Sequence, residues 1–300
     1  MIHYPAGELP SPAGIPKECN TKESSMKKHG STILLFLVFF IGLSLMLYPS
    51  FADWWNSFHQ SRAVASYVEQ VANMDDDKYD EIWSAAWDYN QSLLGRPNDF
   101  LLSEEQQETY QALLDIGSNG IMGYVEIPRI DVLLPIYHGT DEAVLQVAIG
   151  HLEWTSLPVG GENSHCVVSG HRGLPSARLF TDLDQMEVGD TFLLRVLDEV
   201  LTYEVDQIRI VEPHETDDLL IVEGRDLCTL VTCTPYGINT HRLLIRGSRI
   251  ATEEVKAVRR VTADAIQIEP IVVAPFVAAP MLFVLLIALL IPKPKKKKEK

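Results

Sequence analysis

The 300-residue chain reads as an all-β domain with a helical layer on its N-terminal side, set between two membrane-spanning segments. Three observations predict this. Short β-type runs crowd together from Gly123 to Ile250, apolar residues ahead of them recur at helical spacing, and a charge-free apolar stretch stands near each end. A hydrophobic fraction of 46% allows one sizeable domain plus such extra segments.

Taken in order, residues 1–30 form a Pro/Gly-rich cytoplasmic tail without periodicity, although Met26-Lys27-Lys28 reads as an ordinary N-terminus by itself and offers an alternative start. Residues 31–48 hold the first anchor, Thr32 to Tyr48, without a single charge. A crossing helix needs about 20 apolar residues and accepts as few as about 17. The run is therefore either an anchor or the apolar part of a signal peptide. Bulky Phe51 between Ser50 and Ala52 makes a poor cleavage site and favours the uncleaved anchor.

Residues 49–122 are helical in texture. Val64, Tyr67, Val68 and Val71 fall at i, i+3, i+4 and i+7, one face of a helix. After the Asp75-Asp76-Asp77 break a second pattern runs through Tyr79, Ile82, Trp83, Ala86, Asn90 and Leu93-Leu94, and Gly95 and Pro97 end it. Arg96 to Asn119 is polar and gives no clear element. The core at 123–250 contains β-type runs at Gly123–Ile127, Val132–Tyr137, His165–Ser169, Thr191–Leu197, Leu201–Arg209, Cys228–Cys233 and Arg242–Ile250, with Gly, Pro, Asp or Asn between them. Many short strands at this spacing indicate a sandwich or small barrel rather than a parallel α/β sheet. A linker at 251–270 leads to the second apolar run, Ile271 to Ile291, and a basic tail at 292–300.

Charge sets the orientation. Lys22, Lys27 and Lys28 precede the first run, and Lys293, Lys295–Lys298 and Lys300 follow the second. Basic flanks stay in the cytoplasm, so both termini are expected inside and Pro49 to Pro270 outside the cell. That outer part carries 37 acidic against 15 basic side chains, a formal −22, which argues against a nucleic-acid partner.

Four cysteines are too few for an external disulfide scaffold. Cys19 falls on the cytoplasmic side. Cys233 ends a β-run, a turn-rich Thr234–His241 segment follows, and a strand opens at Arg242. A hairpin there returns Arg242 to the side of Cys233, where a guanidinium lowers the thiol pKa and receives an oxyanion. Spacing alone equally allows a buried strand cysteine near a surface arginine. His171, between Gly170 and Gly173 after an apolar strand, is a candidate partner or a plain surface histidine. His241 competes for that role but adjoins Arg242 and would point to the opposite side.

The segments TLVTCTPYGINTHRLLIRG and SGHRGLP resemble the cysteine and histidine motifs of sortases, and GYVEIPRIDVLLPIYHGT and SLPVGGENSHCVVSGHRG are similar to that family's preceding strands. The resemblance covers about Gly123 to Ile250, and the C-terminal anchor with its lysine tail narrows it to class C, the pilus-assembling group. It implies an eight-stranded sortase-type β-barrel. Cys233 would attack an LPXTG-like signal after its threonine, His171 protonate the leaving amine, Arg242 steady signal and oxyanion, and Thr232 assist through its backbone or hydroxyl. The acyl group would pass to an amine, typically a pilin lysine, with no metal or organic cofactor. Partners would be pilins or surface proteins bearing C-terminal sorting signals. Class C members often carry an Asp-Pro-aromatic lid. Here Asp99-Phe100 lacks the proline, and the pair is either a lid, with Asp99 on Arg242 and Phe100 on Cys233, or an ordinary loop. Cys166 and Cys228 each lie five residues before a site residue, and the family's strand order makes them neighbours, as buried core thiols or as a close pair. Alternatives are a housekeeping sortase that attaches proteins to the cell wall, a peptidoglycan L,D-transpeptidase, or a non-enzymatic membrane-tethered module. An L,D-transpeptidase usually sets its cysteine in a Ser-His-Gly-Cys context, unlike Val231-Thr232-Cys233-Thr234. A non-enzymatic module would leave Cys233, His171 and Arg242 without a joint purpose.

Overall fold

The computed structural model describes residues 21–95 and 101–252. The Asp99-Phe100 pair, the linker beyond Thr252, the Ile271–Ile291 run and the lysine tail lie outside the described residues.

The chain forms two compact units, divided between Leu47 and Tyr48. In the first, the Thr32–Leu47 run is helical, part of α1 (Thr21–Ala72). Among the described residues, α1 from Thr32 onward is the one helix long and apolar enough to cross a membrane. Pro49 lies inside α1 rather than at its end. A proline removes a single backbone hydrogen bond, and the helix continues through it.

In the second unit, α1 ends on the spaced apolar residues. Val64 and Tyr67 are buried and Val71 packs on the core, whereas Val68 stays 46% exposed. Helix α2 (Asp76–Ser92) starts at Asp75, whose carboxylate accepts from Lys78 N at 3.0 Å. That cap, with Asp76 and Asp77 in the first turn, suits the positive end of the helix dipole. The polar stretch after Arg96 contains a helix the spacing did not reveal, α3 (Glu104–Ala112). It is started by a reciprocal capping box between Ser103 and Gln106. Each helix sends a buried polar side chain to the barrel. Tyr67 donates to Met122 O (3.1 Å) and accepts from Leu197 N (2.8 Å), and Asn90 holds both polar groups of Leu157, N at 2.7 Å and O at 3.0 Å. Tyr110 of α3 bonds to Gly139 N and His151 Nδ1, each at 3.0 Å.

Strands β1 (Ile121–Ile127), β2 (Val132–His138), β3 (Ile149–His151), β4 (Ser164–Ser169), β5 (Thr191–Val196), β6 (Glu199–Val211), β7 (Asp226–Thr234) and β8 (His241–Ile250) close into a barrel. Their order is β1-β2-β3-β4-β7-β8-β6-β5, with β1 pairing β5 to close it. Seven match the β-type runs, and β3, three residues around Gly150, is the addition. Two links are parallel, β2 with β3 and β4 with β7. The alternation of β7 sorts its side chains, since Cys228 and Leu230 join the main core while Val231 joins a separate outer cluster with Val167, Val211, Leu219 and Leu244. Gly247 has a packing reason to be glycine, because a Cβ there would lie 2.7 Å from the Phe192 ring.

Candidate active site

The site is built on the outer face of β4, β7 and β8. Strands β7 and β8 are antiparallel neighbours, and their register sets Cys233 opposite Arg242, one step above the buried Val231–Leu244 pair. The turn that returns the chain is closed by Ile238 N and Asn239 N, both donating to Pro235 O. It needs positive φ at Gly237 (74°) and Asn239 (61°), where these two residue types are tolerated. Arg242 Nη1 donates to the carbonyls of Asn239 (3.3 Å) and His241 (3.1 Å), so the turn itself orients the guanidinium. Among the described residues no carboxylate forms an ion pair with it. His241 pairs with Thr234, one position off the Cys233 row, so strand alternation turns it to the other face.

His171 comes from the other side. Strand β4 runs parallel to β7 in a register that pairs Val167 with Thr229 and Ser169 with Val231. Gly170 N donates to Val231 O at 3.0 Å, extending the ladder past the strand. The Cys233–Arg242 row thus stands at the barrel rim, with the start of the His171 loop hydrogen-bonded alongside the cysteine strand. All three are half-buried, open enough for a ligand to reach. Thr232 sits on the opposite, inward face. Its hydroxyl is buried and donates to Gly170 O at 2.8 Å, so it fastens the start of the histidine loop to the cysteine strand.

One residue of this site was not singled out from the sequence. Arg172 has a side chain only 9% exposed, with three contacts around the row. It pairs with Asp184, reaches Thr234 Oγ1 at 3.5 Å, and lies over the Tyr236 ring at 5.9 Å. Its Nε is buried without a partner among the described residues. The only signal was an arginine between a histidine and a glycine, and nothing local to that tripeptide says it is covered.

Cys166 and Cys228 are free, buried, and directly opposite one another across β4 and β7. Burial holds the Cys228 thiol above its ordinary range, and a hydrogen bond with Cys166 pushes the same way. It is a core thiol remote from nucleophilic use. Below the row, His165 donates from Nδ1 to Leu220 O and accepts at Nε2 from the Thr229 hydroxyl, both at 2.8 Å. The carbonyl partner fixes that tautomer, and the pair pins the β6–β7 connection over the outer cluster.

Comparison with known proteins fits this architecture. The family model described as a sortase domain matches residues 125–250. The crystal structure of sortase C1 from Streptococcus agalactiae is 49% identical, covers 64% of this chain and all of its own, and superposes with a TM-score of 0.63. Clostridium perfringens sortase C, solved with the C-terminal cell wall sorting motif, is 42% identical with a TM-score of 0.57, covering 64% of this chain and 99% of its own. Sortase D of Bacillus subtilis is 32% identical over 131 residues, 43% of this chain and 63% of that relative. The match thus spans less than two thirds of this curated relative. The closed barrel from Val125 on, the Cys233–Arg242 pair and the His171 loop all fall within the matched residues. The chain belongs to the sortase family, and its solved neighbours are class C sortases.

Proposed function

We propose that this chain is a membrane-anchored extracellular transpeptidase that cleaves an LPXTG-like sorting signal and joins it to an amine, a pilin lysine. The observation that carries the reading is the row, Cys233 opposite Arg242 with the His171 loop laddered onto the same strand. In this reading Cys233 Sγ attacks the carbonyl carbon of the signal's threonine and its proton passes to His171. The carbonyl oxygen becomes an oxyanion beside the Arg242 guanidinium. His171 returns the proton to the departing amine as the C–N bond breaks, leaving a thioester on Cys233. The incoming lysine amine gives its proton to His171, attacks the thioester carbonyl and expels the sulfur. Thr232 supports this indirectly, through the Gly170 carbonyl it holds.

The test is the full chain in detergent micelles with a sorting-signal peptide and a lysine-bearing pilin. Covalent ladders are expected. Cys233→Ala should abolish thioester and ladder, and His171→Ala should come close, because nucleophile and acid act as a unit. Arg242→Lys should also fail, since a point charge cannot reproduce a planar fork of donors. Near-full activity in any of the three overturns the assignment, and products formed only on cell-wall amines would move the acceptor from pilin to wall.

The anchoring reading rests on the helical Thr32–Tyr48 run and, by sequence, on Ile271–Ile291. A reporter fused after Lys300 should be cytoplasmic, and sites between Pro49 and Pro270 should be open to external protease. If Asp99 and Phe100 act as a lid, Asp99→Ala with Phe100→Ala should speed Cys233 alkylation by roughly tenfold at most. An unchanged rate makes them ordinary loop residues.

A further inference from the structure

Helix α1 has two unlike faces between Phe51 and Arg62. Asp53, Asn56 and Gln60, at i, i+3 and i+7, share one side, and each is tied to a barrel loop. Asp53 Oδ1 accepts from Arg178 N at 2.7 Å, Asn56 Nδ2 donates to Ser176 O at 2.8 Å, and Gln60 Nε2 donates to Val147 O at 2.6 Å. Phe51, Trp54, Trp55 and Phe58, at i, i+3, i+4 and i+7, point about 180° away, given 3.6 residues per turn. They are 61%, 54%, 50% and 48% exposed. The rings pack on each other, Phe51 on Trp55 and Trp54 on Phe58, both at 6.3 Å. Arg62, one turn further on the same side, lies 5.7 Å over the Phe58 ring.

Four large aromatic side chains side by side form a patch that a water-exposed surface does not usually carry, and such patches mark an interaction site. Position in the chain says what covers this one. Phe51 comes three residues after Tyr48, where the apolar run ends. The headgroup layer outside the hydrocarbon is roughly 5–8 Å deep on each side, whereas Phe51 and Phe58 lie about 4.5 and 15 Å of helix past Tyr48. All four rings therefore reach that layer when this part of α1 leans onto the bilayer surface. Aromatic rings favour that layer, and a guanidinium on the same side of the helix suits a lipid phosphate.

We propose that this aromatic face seats in the headgroup layer of the membrane, so that the opposite face holds the histidine-bearing rim of the barrel at the bilayer surface. The inference rests on reading Thr32–Tyr48 as a membrane anchor. Ser176 and Arg178, the residues held by Asn56 and Asp53, belong to the loop that His171 opens and that Phe180 N closes on His171 O. One stretch of helix therefore serves both attachment and active-site geometry. The substrate this favours is a signal still carried by a protein embedded in the same bilayer.

The full chain is reconstituted in vesicles of phosphatidylcholine and phosphatidylglycerol, with part of the phosphatidylcholine brominated either high or low on its acyl chains. Tryptophan emission is compared with that of Trp54→Phe, Trp55→Phe, which keeps the aromatic face. The wild type should lose the larger fraction of its emission, and more to the high bromines than to the low ones. Equal quenching of the two proteins while both float with the vesicles would overturn the proposal and leave the anchor standing. Failure to float overturns both. In a second arm Phe51, Trp54, Trp55 and Phe58 are all changed to Ser. Turnover of a bilayer-tethered signal peptide should fall roughly tenfold or more, the loss of an effective-concentration advantage, with a soluble peptide turned over at the wild-type rate. An equal fall on both peptides would overturn the coupling to the membrane.

Discussion

At the residue scale, Arg172 is the side chain whose surroundings ask most of it. It joins the histidine loop to Asp184 on one side and to Thr234 and Tyr236, just past the cysteine, on the other. In the proposed reaction it would act by fixing where the two halves stand, without touching the reacting atoms. Arg172→Ala should lower kcat by roughly tenfold with KM little changed, and Arg172→Lys should not restore it, since an ammonium cannot pair, donate and stack at once. A fall in thermal midpoint with unchanged kcat would mark a purely structural role. His165 makes a different prediction. Burial is the chief cause lowering its pKa from 6.5 to about 4, with Arg246 and Arg225 adding to it and the Leu220 carbonyl opposing. The folded state keeps the ring neutral while the unfolded chain takes up a proton near pH 6.5. The associated stability is therefore present above that pH and lost as pH falls towards 4, about 3 kcal/mol in all. Urea unfolding should show that acid slope in the wild type and a shallower one in His165→Gln. Identical slopes would remove His165 as the cause.

At the scale of elements, buried polar side chains help hold the helices to the barrel. Asn90→Ala would leave the Leu157 N–H, now donating to Asn90 Oδ1 at 2.7 Å, without a partner in a dry place, while the Leu157 carbonyl keeps its bond from Val159 N. The expected cost is about 1–3 kcal/mol, read as a lower urea midpoint with unchanged slope. The β7–β8 hairpin was legible in advance because its turn chemistry lies in one stretch, Pro235-Tyr236-Gly237 and Asn239, between two apolar runs. Strand β3 was not, since Ile149-Gly150-His151 is too short to show alternation and exists by pairing with both β2 and β4. Helix α3 was missed for a related reason, as Tyr110 alone among its residues is buried, leaving no apolar stripe to read. Its capping pair Ser103 and Gln106 was the usable signal. The site divides the same way. Cys233 beside Arg242 follows from one hairpin, whereas the approach of the His171 loop to that hairpin depends on a parallel register that no local pattern encodes.

For the whole molecule that division has a consequence in time. Cys233 and Arg242 are nine residues apart in sequence and are united by closing one tight turn. His171 reaches them only when β4 lies down parallel to β7, a contact that must first close a loop through β5 and β6. Loop closure costs more entropy the longer the loop, and distant pairings form slowly. In refolding from urea, hydrogen exchange pulses should therefore find the β7–β8 amides protected before those of the β4–β7 ladder. Simultaneous protection would refute that order. In the proposed reading, a newly made chain would thus own its nucleophile early and its proton donor late. Until the β4–β7 ladder closes, the thiol would meet a signal without completing its cleavage, so barrel closure itself would act as the on-switch.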